Sequence, residues 1–270
     1  MKTWRFITTP AARGAWNMAV DESILEHIGR GEAPPTLRLY AWEPACLSLG
    51  HAQPIADVDR VRLQARGWEV VRRLTGGRAI LHTDELTYSV TGSPEEPVLA
   101  GGVLESYSRL AQALLLAVKS LELPVEMKEG KADNHTTPNP VCFEVPSTYE
   151  ITVGGKKLIG SAQARKKEGV LQHGSLPLTG DLTRICQALV FETEATRETA
   201  ANRLLARATT VETALGRVVS WEESAEAFIH AFETQLGICF EKGELSDLES
   251  KRAEELLREK YDHPSWTEHV

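Results

Sequence analysis

The chain has 270 residues, of which 42% are hydrophobic and 25% are charged, and its formal net charge is −8. A chain of this length can bury one large core, and no stretch approaches the roughly 20 consecutive apolar residues that a membrane-spanning helix requires. The acidic balance disfavours a general nucleic-acid-binding protein. Because the first residues lack the apolar centre of a signal peptide, we expect a cytoplasmic protein that contacts no membrane.

Hydrophobic periodicity predicts strands and helices over the first two thirds of the chain. Strands are predicted at residues 3–7, 36–42, 46–50, 86–91 and 170–176, and helices at residues 17–28, 55–66 and 103–121. Beyond residue 179 helices are predicted at residues 182–189, 197–205, 211–215, 221–236 and 245–261, with a short strand at 238–240. The sequence therefore predicts an α+β fold in which mixed β-sheets are flanked by helices. We expect one domain over residues 1–270, with a helical C-terminal portion from about residue 180.

Residues 70–82, with the sequence VVRRLTGGRAILH, predict two strands joined by a glycine turn. Gly76 and Gly77 would let the backbone approach a ligand closely. One interpretation is a ligand cradle with Arg73 and Arg78 beside it. The other is an ordinary Gly-Gly hairpin with surface arginines, and the glycines alone favour this second interpretation.

A second glycine turn joins two alternating segments further along the chain. Residues 147–153 and 157–163 alternate polar and apolar positions, and residues 154–155 between them are both glycine. This pattern predicts a β-hairpin whose turn needs positive φ angles. Strand alternation then places Lys157 and its neighbour Lys156 on opposite faces of the sheet.

The four cysteines show neither a CxxC pair nor the histidine spacing of a metal site, so we expect free thiols and no bound metal. Three of them lie within apolar runs, which is typical of buried, inert thiols: Cys46, Cys186 and Cys239. Cys142 instead follows a polar, proline-bearing segment at residues 128–140, which is typical of a binding loop. A thiol there, facing the ammonium group of Lys157, indicates a nucleophile and its electrostatic partner. The alternatives are an inert thiol and a surface lysine beside a turn.

Three motifs carry a resemblance to a known superfamily. They are NMAVD at residues 17–21, RRLTGGRAILH at residues 72–82 and KLIGSA at residues 157–162. In this order they resemble the lipoate–protein ligases and octanoyltransferases, which share a catalytic-domain fold with biotin protein ligases. Three further segments resemble the LipM-type octanoyltransferases of Gram-positive bacteria: PVCF at residues 140–143, PSTYE at 146–150 and LQHGS at 171–175.

The resemblance implies an activity and a set of site residues. In LipM-type enzymes a loop cysteine takes octanoate from acyl carrier protein and passes it to a lysine of a lipoyl domain, typically the glycine-cleavage H protein. By resemblance Cys142 is the nucleophile, and Lys157 holds the acyl carbonyl. The substrate-binding residues that the resemblance implies are Arg73, Gly76, Gly77, His82, Gly160, Ser161 and Ala162. It implies no ATP, no metal and no other cofactor, and we expect a monomer.

Three other functions stay open at this point. The chain could be an ATP-dependent lipoate–protein ligase, or it could move octanoate from one lipoyl domain to another. A non-enzymatic module that binds acyl groups or carrier proteins is disfavoured because both the thiol and the lysine are present. Basic residues in the candidate site strands would suit an acidic partner protein: Arg72, Arg73, Arg78, Lys156, Lys157, Arg165, Lys166 and Lys167.

Overall fold

A computed structural model describes residues 2–129 and 149–270. The strands in these ranges are β1 Lys2–Thr8, β2 Thr36–Tyr40, β3 Cys46–Leu49, β4 Glu69–Arg72, β5 Ile80–His82, β6 Glu85–Gly92, β7 Val125–Glu129, β8 Tyr149–Val153, β9 Lys156–Lys157, β10 Gly160–Arg165, β11 Val170–Pro177 and β12 Ile238–Lys242. The α-helices are α1 Gly14–Gly29, α2 Arg60–Ala65, α3 Val103–Ser120, α4 Glu194–Arg207, α5 Val211–Leu215, α6 Trp221–Leu236, α7 Asp247–Leu256 and α8 Pro264–Thr267. The predicted α+β fold with mixed sheets is confirmed.

A six-stranded sheet in the order β10-β11-β6-β2-β1-β12 forms the centre of the fold. Strand β1 runs parallel to β2 and β12, whereas β6 runs antiparallel to β2 and β11. Two three-stranded sheets accompany it, in the orders β4-β3-β5 and β7-β8-β9. Parallel and antiparallel pairs therefore occur within one sheet, as is common in large mixed sheets.

The two faces of the six-stranded sheet differ in chemistry, because successive side chains of a strand point to opposite faces. The apolar face packs against α3 and α6 and carries Leu37, Leu39, Tyr88 and Val90. The opposite face, which we call the polar face, carries Arg38, Tyr40, Thr87 and Ser89, and all four are buried. Helix α1 packs beside this polar face and against α7.

The predicted helix at residues 103–121 illustrates how the main core forms. It is observed as α3, and Leu110, Leu114 and Val118 of its apolar stripe are buried against the sheet and α6. Full burial of each such side chain contributes about 1.5–3 kcal/mol. The amphipathic period therefore predicted the helix and most of its buried face, although Leu104 of the same predicted stripe is exposed.

The glycine turn in residues 70–82 does not join neighbouring strands, which corrects the hairpin interpretation. Strand β3 lies between β4 and β5; it pairs parallel to β4 and antiparallel to β5. The turn therefore crosses over the end of β3, and its Gly77 takes a φ of +91°. The two predicted strands are present, but a segment from earlier in the chain separates them.

The predicted hairpin after Cys142 is also only partly as expected. Gly154 and Gly155 take φ angles of +55° and +78°, as the turn requires. The return strand, however, is divided between two sheets: β9 pairs with β8, and β10 pairs with β11. The division falls at Leu158 and Ile159, consecutive residues that are both buried. Because a regular half-buried strand cannot bury two successive side chains on one face, the chain changes sheet there.

Smaller differences concern the ends of helices. The helix predicted at residues 55–66 is a 3₁₀ turn at Ile55–Asp57 followed by α2, and the one at residues 182–189 is a 3₁₀ helix at Leu182–Gln187. The terminal helix becomes a π-helical turn at Leu257–Tyr261 and is followed by the unpredicted α8. In the part of the chain that the structure describes, no helix has the length and apolarity needed to span a membrane.

Candidate functional site

A pocket opens between the polar face of the large sheet and the β4-β3-β5 sheet, and its space of about 440 Å³ includes the solvent at its mouth. Six of the predicted substrate-binding residues line it: Arg73, Gly77, His82, Gly160, Ser161 and Ala162. The seventh, Gly76, is exposed beside Gly77 at the glycine turn, and a Cβ there would meet only open space. The sequence thus predicted residues that the fold brings together from two separate segments.

Strand register explains how the pocket wall is assembled. Gly160 pairs with Ser175, and Ser175 pairs with Thr87, which in turn pairs with Tyr40. These four residues form one row across the sheet, and each lines the pocket. The neighbouring row, two residues along each strand, consists of Ala162, His173, Ser89 and Arg38. The alternation of polar and apolar residues in β6 and β11 therefore supplies the polar side chains of this wall.

Arg73 organises the glycine turn at the edge of the pocket. Its guanidinium donates hydrogen bonds to the carbonyl oxygens of Gly76 and Arg78 at 2.9 and 2.8 Å, and to that of Ser48 at 2.9 Å. The side chain is only 3% exposed. Close packing against Gly50 also fixes the turn, since a Cβ on Gly50 would lie 1.9 Å from the Gly77 carbonyl oxygen. Arg73 thus fixes the shape of the pocket edge.

His82 lies in a chain of buried hydrogen bonds within the pocket wall. Its Nε2 lies 2.8 Å from the Ser48 hydroxyl and its Nδ1 lies 2.6 Å from Glu85 Oε1. Because the Glu85 carboxylate only accepts, His82 Nδ1 donates to it, and in the neutral ring Nε2 accepts from the Ser48 hydroxyl, which in turn accepts from Arg73 at 3.1 Å. The His82 ring stacks on Trp42 with centroids 3.9 Å apart. These contacts hold an imidazole and an indole rigidly against the pocket.

A buried charged cluster supports the pocket from the α1 side. Arg38 and Asp21 are almost fully buried and pair at 2.8 Å. Asp21 also accepts hydrogen bonds from the hydroxyls of Tyr40 and Ser89, at 3.0 and 2.8 Å. Burial alone would raise the pKa of Asp21, but Arg38 and His173 outweigh it and hold this pKa below its ordinary value. Asp21 is therefore a buried acid on α1.

His173 joins the charged cluster to the glycine turn. Its Nε2 lies 2.7 Å from the Thr75 hydroxyl, which accepts a hydrogen bond from Arg73, and its Nδ1 lies 3.7 Å from Asp21. Burial lowers the pKa of His173, with Asp21 acting in the opposite direction. The ring is therefore neutral near pH 7, with its Nδ1 proton directed toward Asp21.

Lys157 is 6% exposed and lies in β9, next to the start of the pocket-lining strand β10. Its Nζ lies 3.3 Å from Glu150 Oε1, and its carbonyl oxygen accepts a hydrogen bond from the Thr209 backbone at 3.1 Å. Lys156 is more exposed, as strand alternation predicts. Lys157 pairs with Glu150 and is not among the residues that line the pocket. Its predicted role is taken up below as a proposal.

Cys142, and the predicted loop from residue 130 onward, lie outside the residues that the structure describes. The other three cysteines can be compared with their predicted burial. Cys46 and Cys186 are buried, and burial raises the pKa of the Cys46 thiol well above its ordinary value. Cys239 is only half-buried, because it lies on the edge strand β12, so the prediction of full burial is wrong there.

The predicted basic docking face needs correction. Arg72 is fully buried, where it donates to the Gln53 carbonyl at 2.6 Å and to the Thr267 carbonyl at 2.8 Å. The Arg73 guanidinium is likewise buried and donates hydrogen bonds to backbone carbonyl oxygens. Lys166 and Lys167 are exposed, so only part of the predicted basic set is available to a partner.

Six pocket residues were not among the predicted site residues: Met18, Tyr40, Trp42, Ser48, His173 and Ser175. Met18 and Tyr40 fit the patterns of core positions, and Ser48 lies in a strand with no motif of its own. A motif did include His173 and Ser175, but nothing in it indicated which of its residues face a ligand. Across residues 2–129 and 149–270, no group of three or more His, Cys, Asp or Glu side chains could hold a metal ion.

Comparison with known proteins agrees with this fold. The family profile of the lipoyl protein ligase A/B catalytic domain matches residues 13–233. The chain is 42% identical to octanoyltransferase LipM of Moorella thermoacetica, with 98% of this chain and 97% of that protein covered. It is 40% identical to octanoyltransferase LipM of Exiguobacterium sibiricum, with 98% of each covered.

Solved structures show the same fold. A bipartite lipoate protein ligase from Thermoplasma acidophilum matches with a TM-score of 0.79 at 23% identity, covering 98% of this chain and 95% of that one. A lipoate-protein ligase A bound with ATP matches with a TM-score of 0.78 at 25% identity, covering 98% of each chain. The octanoyltransferases are thus nearer in sequence than these ligases. The chain belongs to the LipM octanoyltransferase family and has the lipoyl protein ligase A/B catalytic domain.

Proposed function

We propose that this protein transfers octanoate from acyl carrier protein to a lysine of a lipoyl domain, such as the glycine-cleavage H protein, through a thioester on Cys142. The observation that carries the proposal is its identity of about 40%, over nearly its whole length, to octanoyltransferases. The pocket supports it, because one wall is built from apolar and aromatic side chains that suit an alkyl chain. Met18, Trp42 and Ile80 contribute to that wall.

The alkyl chain supplies the binding free energy for the acyl group. Each methylene transferred from water to an apolar environment contributes about 0.8 kcal/mol. The polar groups beside the chain do not oppose this, because His82 and Thr87 are paired within the protein. Polar groups that are already paired, such as these two, do not lose a hydrogen-bond partner when an alkyl chain lies beside them.

Thioester chemistry explains why no nucleotide is needed. The Cys142 thiolate attacks the carbonyl carbon of the octanoyl thioester, the bond to the carrier sulfur breaks, and the carrier thiolate takes up a proton. The neutral amine of the acceptor lysine then attacks the Cys142 thioester, the carbon–sulfur bond breaks, and the amine proton is released. The first transfer exchanges one thioester for another, and the second forms the more stable amide. Activation by ATP is therefore unnecessary.

Lys157 is proposed to assist the first transfer. A nearby ammonium group stabilises a thiolate and lowers a cysteine pKa, and it also stabilises the oxyanion that forms as the thioester is attacked. The burial of Lys157 supports this role, because solvent and salt screen a buried charge less than an exposed one.

A transfer assay with four donors tests the proposal against its alternatives. The acceptor is apo H protein, and its mass is followed with octanoyl carrier protein, with free octanoate plus ATP, with lipoate plus ATP, or with a second octanoylated lipoyl domain as donor. We expect modification with octanoyl carrier protein in the absence of ATP. Modification only with a free acid and ATP would make the protein a ligase, and modification only from the octanoylated domain would make it an amidotransferase. Binding of octanoyl carrier protein with no modification of the acceptor would show that the protein is a non-enzymatic binding module.

A further inference from the structure

One polar side chain of the pocket has no hydrogen-bond partner among the described residues. Ser175 is fully buried in β11 and lines the pocket, and it lies in one row with Thr87 and Tyr40 of the polar face. Its cross-strand neighbours cannot serve it: Gly160 has no side chain, and Thr87 donates to Glu85 and accepts from the Trp42 indole. Ser175 therefore differs from the other polar groups of the pocket.

The neighbouring polar groups show how unusual this is. The hydroxyl of Ser161 lies 2.7 Å from the Tyr88 hydroxyl, that of Ser48 lies 2.8 Å from His82, and Nε2 of His173 lies 2.7 Å from Thr75. Buried side-chain polar atoms in proteins nearly always have a partner. A buried hydroxyl that faces a cavity and lacks one is therefore available to a polar atom of a ligand.

The chemistry of an acyl chain limits which ligand atom can fill that position. If the proposed function is correct, the part of the substrate that enters the pocket is an octanoyl group. Its methylene and methyl groups accept no hydrogen bond, and its carbonyl oxygen is a strong acceptor. The carbonyl oxygen of the octanoyl group is therefore the substrate atom that would pair with the Ser175 hydroxyl.

The position of Ser175 in the sheet agrees with this assignment. Its cross-strand partner Gly160 is the first residue of β10, three residues after Lys157. At about 3.3 Å per extended residue, the Cα atoms of Lys157 and Gly160 are at most about 10 Å apart. The charged cluster of Asp21 and Arg38 belongs to the next row, because Arg38 pairs with Ser89 and Ser89 pairs with His173. Ser175 and Lys157 thus belong to the same end of β10.

We propose that the Ser175 hydroxyl donates a hydrogen bond to the carbonyl oxygen of the octanoyl thioester. The bond positions the carbonyl in the ground state and strengthens as negative charge develops on the oxygen during attack by the thiolate. No proton is transferred to or from Ser175 in this step. In this role Ser175 is a catalytic residue, acting on the same oxygen as Lys157.

A pair of ligands that differ only at the carbonyl tests this directly. Octanoyl pantetheine and S-octyl pantetheine have the same chain length, but the thioether lacks the carbonyl oxygen. In the Cys142→Ala protein, which cannot be acylated there, we expect the thioester to bind about 2–12-fold more tightly, the value of one hydrogen bond. Adding Ser175→Ala should abolish this preference and leave the affinity for the thioether unchanged, whereas adding Ser175→Thr, which keeps the hydroxyl, should preserve it.

Rates provide the second measurement. With Cys142 present, Ser175→Ala should slow acylation by octanoyl carrier protein about 10²-fold, as loss of an oxyanion donor typically does. Alkylation of the same thiol by iodoacetamide should proceed at the wild-type rate, because that reaction develops no oxyanion. Slowing of both reactions to the same extent would show a structural effect and overturn the proposal.

The outcomes also separate this inference from the proposed function. Retention of the thioester preference in Ser175→Ala overturns the role of Ser175 while leaving octanoyl transfer intact. A Ser175-dependent preference in a protein that never becomes acylated would support the carbonyl contact and reject the covalent mechanism. If neither pantetheine ligand binds to any variant, both the carbonyl contact and the acyl pocket are wrong.

Discussion

Lys157 and Glu150 form an ion pair across the β8–β9 hairpin, with Nζ 3.3 Å from Oε1. The lysine side chain is 6% exposed and that of the glutamate 19%. The pair holds the Lys157 ammonium group at the end of the hairpin that adjoins β10. The pocket-lining residues Gly160 and Ser161 are the first two residues of β10. This relationship makes the two adjacent lysines of β9 a matched pair for mutation.

Lys157→Ala should lower the rate of octanoyl transfer by about 10²-fold, because it removes the charge that stabilises the thiolate and the oxyanion. Lys156→Ala is the control, since its more exposed side chain points to the other face, and its rate should stay within about twofold of wild type. Steady-state transfer from octanoyl carrier protein to apo H protein measures both. Equal losses in the two variants would contradict the assignment of Lys157.

The apolar wall of the pocket should make the enzyme select its donor by the length of the acyl chain. Shortening the donor from octanoyl to hexanoyl removes two methylenes, which at about 0.8 kcal/mol each lowers kcat/KM about 15-fold. Competition between hexanoyl and octanoyl carrier proteins for one preparation of enzyme measures the ratio without uncertainty in enzyme concentration. Equal use of the two donors would show that the alkyl chain does not enter this pocket.

Asp21→Asn should destabilise the fold, because it leaves the buried Arg38 guanidinium without its counter-charge. Removing one partner of a buried ion pair typically costs about 3–5 kcal/mol. Urea unfolding followed by fluorescence measures the loss, with the exposed Glu32→Gln as a control expected within about 0.5 kcal/mol of wild type. A similar small change in both variants would mean that the cluster contributes little to stability.

The pH dependence of stability should reflect His173. Because burial lowers its pKa in the folded protein, the unfolded chain takes up a proton below about pH 6.5 that the folded chain does not. The free energy of unfolding therefore falls as the pH decreases from that value. His173→Gln should flatten this acid-side loss between pH 7 and 5, and the exposed His230→Gln is the control. Parallel pH profiles for wild type and His173→Gln would contradict this contribution.

The sequence predicted most elements, because local periodicity determines them. It could not predict that the polar side of β6 is buried. Alternation such as that of Thr87 and Ser89 usually marks a face in water, whereas here α1 and the small sheet cover that face. The hydroxyls that form the pocket wall therefore had the pattern of an ordinary solvated strand.

Long-range pairing accounts for the rest of what was missed. Insertion of β3 between β4 and β5 brings Ser48 to His82, which are 34 residues apart. Neither residue type is distinctive in its own segment. The predicted site residues were found because motifs already grouped them, whereas Ser175 became distinctive only through its missing partner.

Intact-mass measurement of the enzyme after incubation with octanoyl carrier protein, without ATP, tests the central claim most directly. The wild-type protein should gain the mass of one octanoyl group, digestion should locate it on Cys142, and Cys239→Ala should behave in the same way. Cys142→Ala should gain no mass and should fail to modify apo H protein. Transfer by Cys142→Ala at the wild-type rate, or octanoate found on another residue, would contradict the covalent mechanism.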